Sequence, residues 1–316
     1  MSTRTLPRRL ALLLVPFTVA GVLGWPGVST AADGRNLAGK AVAFGGRMTY
    51  TVPEFLVASE LADGGGPVAE SFVDTAGKAT SFASLPYPGE TGIAGPAILG
   101  FLAGQNIPFS YPFYARADHP VVGDSHVGDP SGAFDLTAKA ADGRASSAAR
   151  FGSPAGASGP FSGSKATTSA ALDDGGGVAR VTAESVNTLL TFGDGTLRIA
   201  AVTSRSVTTL APGDAKPVTT THLSIEGVTI GGQAVTIEPD GIHPAGSSSV
   251  PLSPPGTTFD DVLAAAGLSV RRVAARDGAA ETLVITSVHP LPGTGASGTM
   301  MWRFGGAATG ITVGGA

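Results

Sequence analysis

The sequence predicts an all-β protein with one or two short helices, built on a large, curved antiparallel sheet that forms a flattened or half-open barrel. Three observations predict this class. Charged residues make up only 14% of the chain and aromatic residues 6%, while Gly accounts for 46 of its 316 residues. Runs of Ala, Thr, Ser and Val alternate with Gly and Asp turn residues. A helical bundle would contain more Leu, Glu and Lys.

The strands are predicted from runs rich in Val, Thr, Ala and Ser, each ended by turn residues. They span 41–52, 67–84, 132–141, 144–151, 164–173, 177–192, 196–210, 217–230, 233–238, 268–275, 280–289 and 298–305. Within 133–140, apolar and polar residues alternate, which indicates one buried face. The apolar set is Phe134, Leu136, Ala138 and Ala140. In 196–207 both faces are mostly small, so the sequence specifies that register only weakly.

Short glycine-containing connections predict tight hairpins, because these turns require positive φ. They are Asp142-Gly143, Asp174-Gly175-Gly176, Gly193-Asp194-Gly195 and Gly231-Gly232. We therefore expect the strands on either side of each connection to pair with each other.

One helix is predicted over 258–266. Thr258 can cap it, Asp260 and Asp261 complement its N-terminus, and Gly267 ends it. A second short helix is predicted over 95–104.

Segment 86–120 is rich in Pro and Gly and holds three of the four tyrosines. Its prolines cannot donate to a strand ladder, so it cannot form a central strand. We expect it to cross one open face of the sheet, with its aromatic side chains filling a groove and residues 93–114 acting as a lid. The candidate groove residues are Phe101, Phe109, Tyr111, Phe113 and Tyr114.

The N-terminus follows the three-part pattern of a signal peptide. Arg4, Arg8 and Arg9 precede an apolar run over 10–23. That run is short for a membrane span. Small residues at 29–31 predict cleavage after Ala31, with Ala32 the close alternative. A retained anchor helix and twin-arginine export are the alternatives.

The mature chain, residues 32–316, is predicted to be a single β-rich domain. Loss of residues 1–31 removes three arginines and no carboxylate, which takes the formal charge from −4 to −7. An acidic chain argues against nucleic acid and against anionic membrane surfaces as partners. The chain has no cysteine, which excludes disulfides, a lipoprotein anchor and thiolate metal ligands.

Several phrases occur in a characteristic order: AESFVDTAGKATSFASLPYPGE (69–90), IPFSYPFYARADHP (107–120), LSIEGVTIGGQAVTIEPDGI (223–242), LAAAGLSVRRV (263–273) and LPGTGASGTMMWRFGGAA (291–308). With them, the chain resembles actinobacterial secreted β-rich proteins of uncharacterised function, of the choice-of-anchor type. The resemblance implies a secreted or cell-surface role and assigns no catalytic residue. Unlike anchored members, this chain shows no C-terminal membrane helix with a basic tail, so we expect release or non-covalent retention.

Residues Leu291–Gly295 match the L-P-x-T-G motif that sortases cut. The residues that follow are mostly Gly, Ala and Thr, and this stretch is too weakly apolar to hold the chain in a membrane during export. We therefore interpret this motif as a turn between strands 280–289 and 298–305.

Two further groups suggest chemistry. Gly123-Asp124-Ser125 with Asp240 and His243 resembles the blocks of GDS-type esterases, with Ser125 as nucleophile, His243 as base and Asp240 orienting it. The hairpin-rich stretch between them does not fit that parallel α/β family. A cluster of possible Ca²⁺ or Zn²⁺ ligands is interpreted as a solvated loop. Its members are Asp118, His119, Asp124, His126 and Asp129. His222 and His289 are interpreted as half-buried strand residues.

The sequence thus predicts an exported, non-enzymatic envelope or secreted surface protein, with no catalytic, cofactor or metal site. A carrier for an apolar ligand is the alternative, and a GDS-type esterase the remote one. An apolar ligand or a cell-wall component is the expected partner.

Overall fold

Two antiparallel β-sheets contain the strands, and neither closes into a barrel. The computed structural model describes residues 35–52, 60–85, 100, 104, 113–152, 162–173, 177–246, 252, 255–274, 278–291 and 296–314. The all-β, antiparallel prediction is confirmed. The strands divide between two sheets, where the sequence analysis expected one.

The smaller sheet has seven strands in the order β15-β16-β17-β1-β2-β3-β4. Their bounds are β1 Asn36–Thr51, β2 Glu60–Asp74, β3 Ala79–Ser84, β4 Tyr114–His119, β15 Leu268–Val273, β16 Thr282–Pro290 and β17 Ser297–Gly314. The first and last strands, β1 and β17, pair along their lengths, from Asn36 opposite Gly314 to Thr51 opposite Thr299. The two ends of the described chain therefore meet in the centre of this sheet.

The larger sheet has ten strands, in the order β14-β13-β12-β10-β9-β8-β7-β6-β5, with β11 also paired to β10. Their bounds are β5 Asp124–Gly128, β6 Phe134–Ala141, β7 Arg144–Gly152, β8 Gly163–Ala171, β9 Ala179–Phe192, β10 Leu197–Leu210, β11 Val218–Glu226, β12 Val228–Ile230, β13 Gln233–Glu238 and β14 Gly241–Pro244. Strands β5 and β14 are its opposite edges.

The sheets pack face to face. Strands β1 and β2 lie on β7 to β9, β3 and β4 lie on β5 to β7, and β17 lies on β9 and β10. Between β1–β4 and β5–β9 the core consists mostly of alanine, with Val73, Leu136 and Val181 among its larger members. A second core under the helix holds the bulkier side chains, including Phe304, Leu190 and Ile285. The low aromatic content of the chain thus reflects a core of small side chains.

Small side chains let the two backbones come close. A Cβ placed on Gly45 in β1 would lie 2.0 Å from Ser164 Oγ of the opposite sheet, and one on Gly39 would lie 2.8 Å from a methyl of Val181. Both distances are shorter than van der Waals contact, so a larger residue at either position would require the neighbouring side chains or backbone to shift.

Hydrogen bonds between the sheets run through buried hydroxyl groups. Ser147 donates to the backbone oxygen of Glu70 at 2.9 Å, and Thr168 lies 2.7 Å from both Ser147 and Ser71. Because the Ser147 proton goes to Glu70, Thr168 donates to Ser147 and Ser71 donates to Thr168. Every hydroxyl of this relay is satisfied, as buried polar groups require.

A second relay joins β10 and β11 to β17. Ser206 donates to the oxygen of Gly278 at 2.7 Å and lies 2.6 Å from Thr309. Thr208 lies 2.8 Å from both Thr309 and Thr219. The same reasoning gives one direction, from Thr219 through Thr208, Thr309 and Ser206 to Gly278.

The local turn and helix predictions are confirmed where the structure describes them. Gly231 and Gly232 have φ of 56° and 82° between β12 and β13. Asp142-Gly143 joins β6 to β7, and Gly193–Gly195 joins β9 to β10. Residues 174–176 lie outside the described residues, although β8 and β9 pair across them. Helix α1, Phe259–Ala265, begins with a capping box between Thr258 and Asp261.

Some predicted boundaries are wrong. The run 67–84 contains two strands, because Asp74 accepts the backbone N–H groups of Ala76 and Lys78 at 3.0 Å and closes a turn. Likewise 217–230 breaks at Gly227, whose φ is 61°. Strands β4, β5 and β14 were missed. All three are short edge strands. Of the helix predicted at 95–104, only Gly100 and Gly104 lie within the described residues.

Candidate functional site

The predicted groove residues lie only partly in the described structure. Phe101, Phe109 and Tyr111 are outside it. The ring of Phe113 is 4.7 Å from that of Phe134, whereas the ring of Tyr114 stacks on Phe82 at 6.1 Å. Successive side chains of an extended chain point to opposite faces. Phe113 therefore turns toward the larger sheet and Tyr114 toward the outer face of the smaller one.

The residues of the esterase hypothesis lie on opposite edges of the larger sheet. Ser125 is on β5, while His243 is on β14. His243 Nε2 lies 3.1 Å from Asp240 Oδ1, and this hydrogen bond lowers the pKa of Asp240. No hydrogen bond joins Ser125 to His243 among the described contacts. The structure therefore brings the acid and the base together without the nucleophile.

The acidic and histidine cluster at 118–129 lies on β4, β5 and their turns, and its members have other partners. Asp118 accepts two hydrogen bonds from Arg116, at 2.6 and 3.1 Å. His126 lies 2.6 Å from Asp135. Asp129 accepts from the Ser131 hydroxyl, which lowers its pKa. Within the described ranges, no three His, Cys, Asp or Glu residues form a group that could hold a metal ion. The loop interpretation is wrong for four of the five residues, because Asp118 and His119 lie in β4 and Asp124 and His126 lie in β5.

A cleft that the sequence analysis missed lies at one end of the two sheets, where the β9–β10 hairpin faces β16 and β17. Its volume is about 600 Å³. The residues that line it include Phe192, Asp194, Arg198, Ser287, His289 and Trp302. Small-molecule sites have volumes of about 300 to 1,000 Å³ and combine apolar walls with a few polar groups. We call this the end cleft.

The apolar wall of the end cleft is an aromatic group. The indole of Trp302 lies parallel to the ring of Phe304, with 6.1 Å between centroids. Phe192 meets both rings edge-on, at 6.4 and 6.1 Å. Phe304 is fully buried in the second core. The core therefore fixes the orientation of Trp302 at the cleft.

The polar side of the end cleft contains a serine–histidine pair. Ser287 Oγ lies 2.8 Å from His289 Nε2. Residues two apart on a strand share a face, which brings the two side chains together. The prediction that His222 and His289 are half-buried is wrong, because both are exposed. The pattern Ser-x-His within a predicted strand was the feature that could have located this pair.

Comparisons of the chain with protein-family models, with curated proteins and with solved structures find no match. The functional argument therefore depends on the residues and their geometry. The resemblance to choice-of-anchor proteins stays a prediction. Among the described residues, no helix has both the length and the apolar character needed to cross a bilayer.

The Ser287–His289 pair has the first contact of a nucleophile and its base. A catalytic histidine also needs a group that orients its second nitrogen. None of the described residues forms a hydrogen bond with His289 Nδ1. Together with Arg198, Asp194 and Trp302, the pair gives the end cleft a polar and an apolar side.

Proposed function

We propose that the protein is an exported, non-enzymatic component of the cell envelope or of the secreted fraction, and that it acts by binding through its surface. The observation that carries this proposal is the filled space between the two sheets. Alanine side chains and hydroxyl relays occupy that space. A partner would therefore bind at the outer faces of the sheets or in the end cleft.

The buried relays also support a rigid scaffold. Each links strands of different sheets through hydroxyls that have their donors and acceptors satisfied. Opening the interface to admit a ligand would leave these groups without partners, at about 1–3 kcal/mol for each one. A surface that is held rigid binds with less loss of conformational entropy.

A carrier for an apolar ligand is the second candidate, with residues 93–114 as its lid. One observation favours it: Phe113, which turns toward the larger sheet beside Phe134, is 44% exposed. An exposed aromatic ring at the rim of the sandwich is available to contact an apolar ligand.

Fractionation of the native host tests export. We expect the protein in the medium or the wall fraction, with Ala32 as its first residue. Leu13→Arg interrupts the apolar run and should retain the protein in the cell. Thr3→Arg introduces the same residue into the basic segment and should leave export intact. Recovery of the native chain in the cytoplasm with residues 1–31 attached would overturn the export proposal.

Native mass spectrometry of the exported protein separates surface binding from transport. The surface role predicts the mass of the bare polypeptide. A stoichiometric lipid adduct would favour the carrier instead.

A panel of aryl esters tests the absence of enzymatic activity. We expect that none of the three proteins, native, Ser287→Ala or Ser125→Ala, accelerates hydrolysis of the esters above the rate measured without protein. Turnover by native protein that is lost in one serine variant would identify a hydrolase and overturn the proposal.

A further inference from the structure

The end cleft carries charges of both signs beside its aromatic wall. Asp194 and Arg198 line it from the β9–β10 hairpin, and both residues are exposed. Among the described residues, no ion pair or hydrogen bond involves the side chain of either one. A carboxylate only accepts hydrogen bonds and a guanidinium group only donates them. The cleft therefore offers a ligand one group of each kind.

The two charged groups belong to the same turn. Two guanidinium nitrogens of Arg198 lie 3.0 and 3.2 Å from the position that a Cβ on Gly195 would occupy. Arg198 therefore folds back over the turn, beside the residue that follows Asp194. The absence of a side chain at Gly195 leaves the space that the guanidinium group occupies.

The walls of the end cleft are held against one another. A Cβ on Gly193 would lie 2.8 Å from a methyl of Leu268, so the hairpin turn directly contacts the start of β15. Val288 in β16 donates its N–H to the oxygen of Gly267 at 2.9 Å, just after the helix. A ligand therefore meets a cleft that is already formed, and less conformational entropy is lost on binding.

His289 adds a third polar group. Its Nε2 lies 2.8 Å from Ser287 Oγ, whereas none of the described residues forms a hydrogen bond with its Nδ1. The tautomer decides whether Nδ1 donates or accepts. A hydroxyl group satisfies both cases, because it can accept and donate.

We propose that the end cleft binds a neutral sugar unit of a polysaccharide. Sugar hydroxyls both donate and accept, so one ligand can satisfy the carboxylate, the guanidinium group and the imidazole together. The C–H groups on one face of a pyranose ring are weakly positive, and the electron-rich indole of Trp302 attracts them. This contact uses only the part of Trp302 that lines the cleft, and Phe192 and Phe304 hold the indole in place.

Ligands of other classes fit the end cleft less well. An anion attracted by Arg198 would be repelled by Asp194, and a cation would meet the reverse arrangement. An extended peptide binds by adding a strand to a sheet edge. Strands β9, β10, β16 and β17 at the cleft each have partner strands on both sides, so they offer a peptide no free edge.

This inference rests on the proposed surface-binding role only for the polymeric nature of the partner. The sugar site itself depends on the folded chain and not on export. Purified full-length protein tests it without a secretion step. A failure of the fractionation experiment would therefore leave the sugar site standing, and the converse also holds.

The fluorescence of Trp302 reports directly on the end cleft. The sequence contains two tryptophans, and the other is Trp25, within the predicted signal peptide. Full-length protein with Trp25→Phe therefore has Trp302 as its single tryptophan. The probes are dextran, mannan and galactan as neutral polysaccharides, polygalacturonate as an acidic one, and tetra-alanine as a neutral peptide. We expect a saturable fluorescence change with at least one neutral polysaccharide, and none with polygalacturonate or tetra-alanine.

A double variant tests the two charged groups. Asp194→Asn/Arg198→Gln removes both charges and leaves the net charge unchanged. Residue 194 has a φ of 53°, a conformation that asparagine tolerates, so the turn should keep its shape. Affinity should fall by about tenfold or more, because the sugar loses hydrogen bonds to two charged groups.

The matched control is Asp142→Asn/Arg150→Gln, which makes the same two changes on the β6–β7 hairpin, outside the cleft. It should keep native affinity. No response to any neutral polysaccharide, a response of equal size to polygalacturonate or tetra-alanine, or equal losses in both double variants would overturn the proposal. Free glucose, mannose and galactose complete the panel, and binding of any of them as tight as that of the polymers would overturn the polymeric partner.

Discussion

Asn187 in β9 donates its side-chain amide to the backbone oxygen of Gly45 in β1, at 3.1 Å and across 142 residues of chain. The side chain is fully buried between the sheets. Its oxygen accepts from Ser164 Oγ at 2.7 Å. One amide therefore satisfies a backbone carbonyl of one sheet and a hydroxyl of the other. The close approach at Gly45 makes this contact possible.

Replacement of Asn187 by Ala should lower the free energy of unfolding by about 2–4 kcal/mol, because Gly45 and Ser164 lose a buried partner and a cavity forms. Urea unfolding measures this. Thr203→Ala removes a half-buried hydroxyl from the outer face of β10 and is the control. A loss of stability no larger than that of the control would contradict the role of Asn187.

Thr168 is the middle of the relay between Ser71 and Ser147. Thr168→Val keeps the shape of the side chain and removes the hydroxyl, so both serines lose a partner. We expect a loss of about 1–3 kcal/mol in unfolding free energy. Thr168→Ser restores the hydroxyl and should recover most of it. If Val and Ser behave alike, packing rather than hydrogen bonding determines stability at this position.

Asp261 gives a pH-dependent prediction. The backbone N–H and the hydroxyl of Thr258 both donate to its carboxylate, which lowers its pKa below the ordinary value. A lowered pKa in the folded state means that the carboxylate stabilises the helix start above about pH 4, and that this stabilisation is lost as the pH falls through the folded value.

The comparison of native protein with Asp261→Ala measures this effect. The difference in melting temperature should be present at pH 7 and should shrink as the pH falls below about 4. Asp260→Ala removes a carboxylate from the same turn that forms no hydrogen bond with Thr258, so its effect should be smaller. A difference for Asp261→Ala that is constant with pH would contradict the capping role.

Local features of this fold could be predicted from sequence. Gly231-Gly232 permits the positive φ that a tight turn needs, and Thr258 with Asp261 forms a capping box within four residues. These signals need no knowledge of the rest of the chain. The split into two sheets is different, because nothing near Asn187 indicates that it meets Gly45. Because β10 has small side chains on both faces, the sequence does not indicate which face packs against the other sheet.

The candidate sites show the same difference between local signals and contacts made by distant parts of the chain. The pattern Ser287-x-His289 in a predicted strand was local and could have been recognised. The placement of Arg144 and Arg180 on either side of Ala171 could not, because it arises only through the pairing of three strands. Charge counting alone indicated an acidic chain.

The crowded surroundings of Gly45 give the sharpest test of the fold. A Cβ on Gly45 would lie 2.0 Å from Ser164 Oγ, 2.6 Å from a ring carbon of Pro67 and 2.8 Å from the oxygen of Gly66. The serine side chain could rotate away, but the backbone oxygen could not. That oxygen belongs to β2, which pairs with β1 in the same sheet. Gly45→Ala should therefore distort the pairing of β1 with β2 and lower the unfolding free energy by about 3 kcal/mol or more.

Gly310 in β17 is the matched control. A Cβ there meets no atom within 4 Å, and its φ lies outside the left-handed region. Gly310→Ala should be neutral or should stabilise the protein by up to about 1 kcal/mol, because alanine reduces the entropy of the unfolded chain. Equal stability of the two variants would mean that the backbone around Gly45, including the oxygen of Gly66, is less crowded than the structure places it.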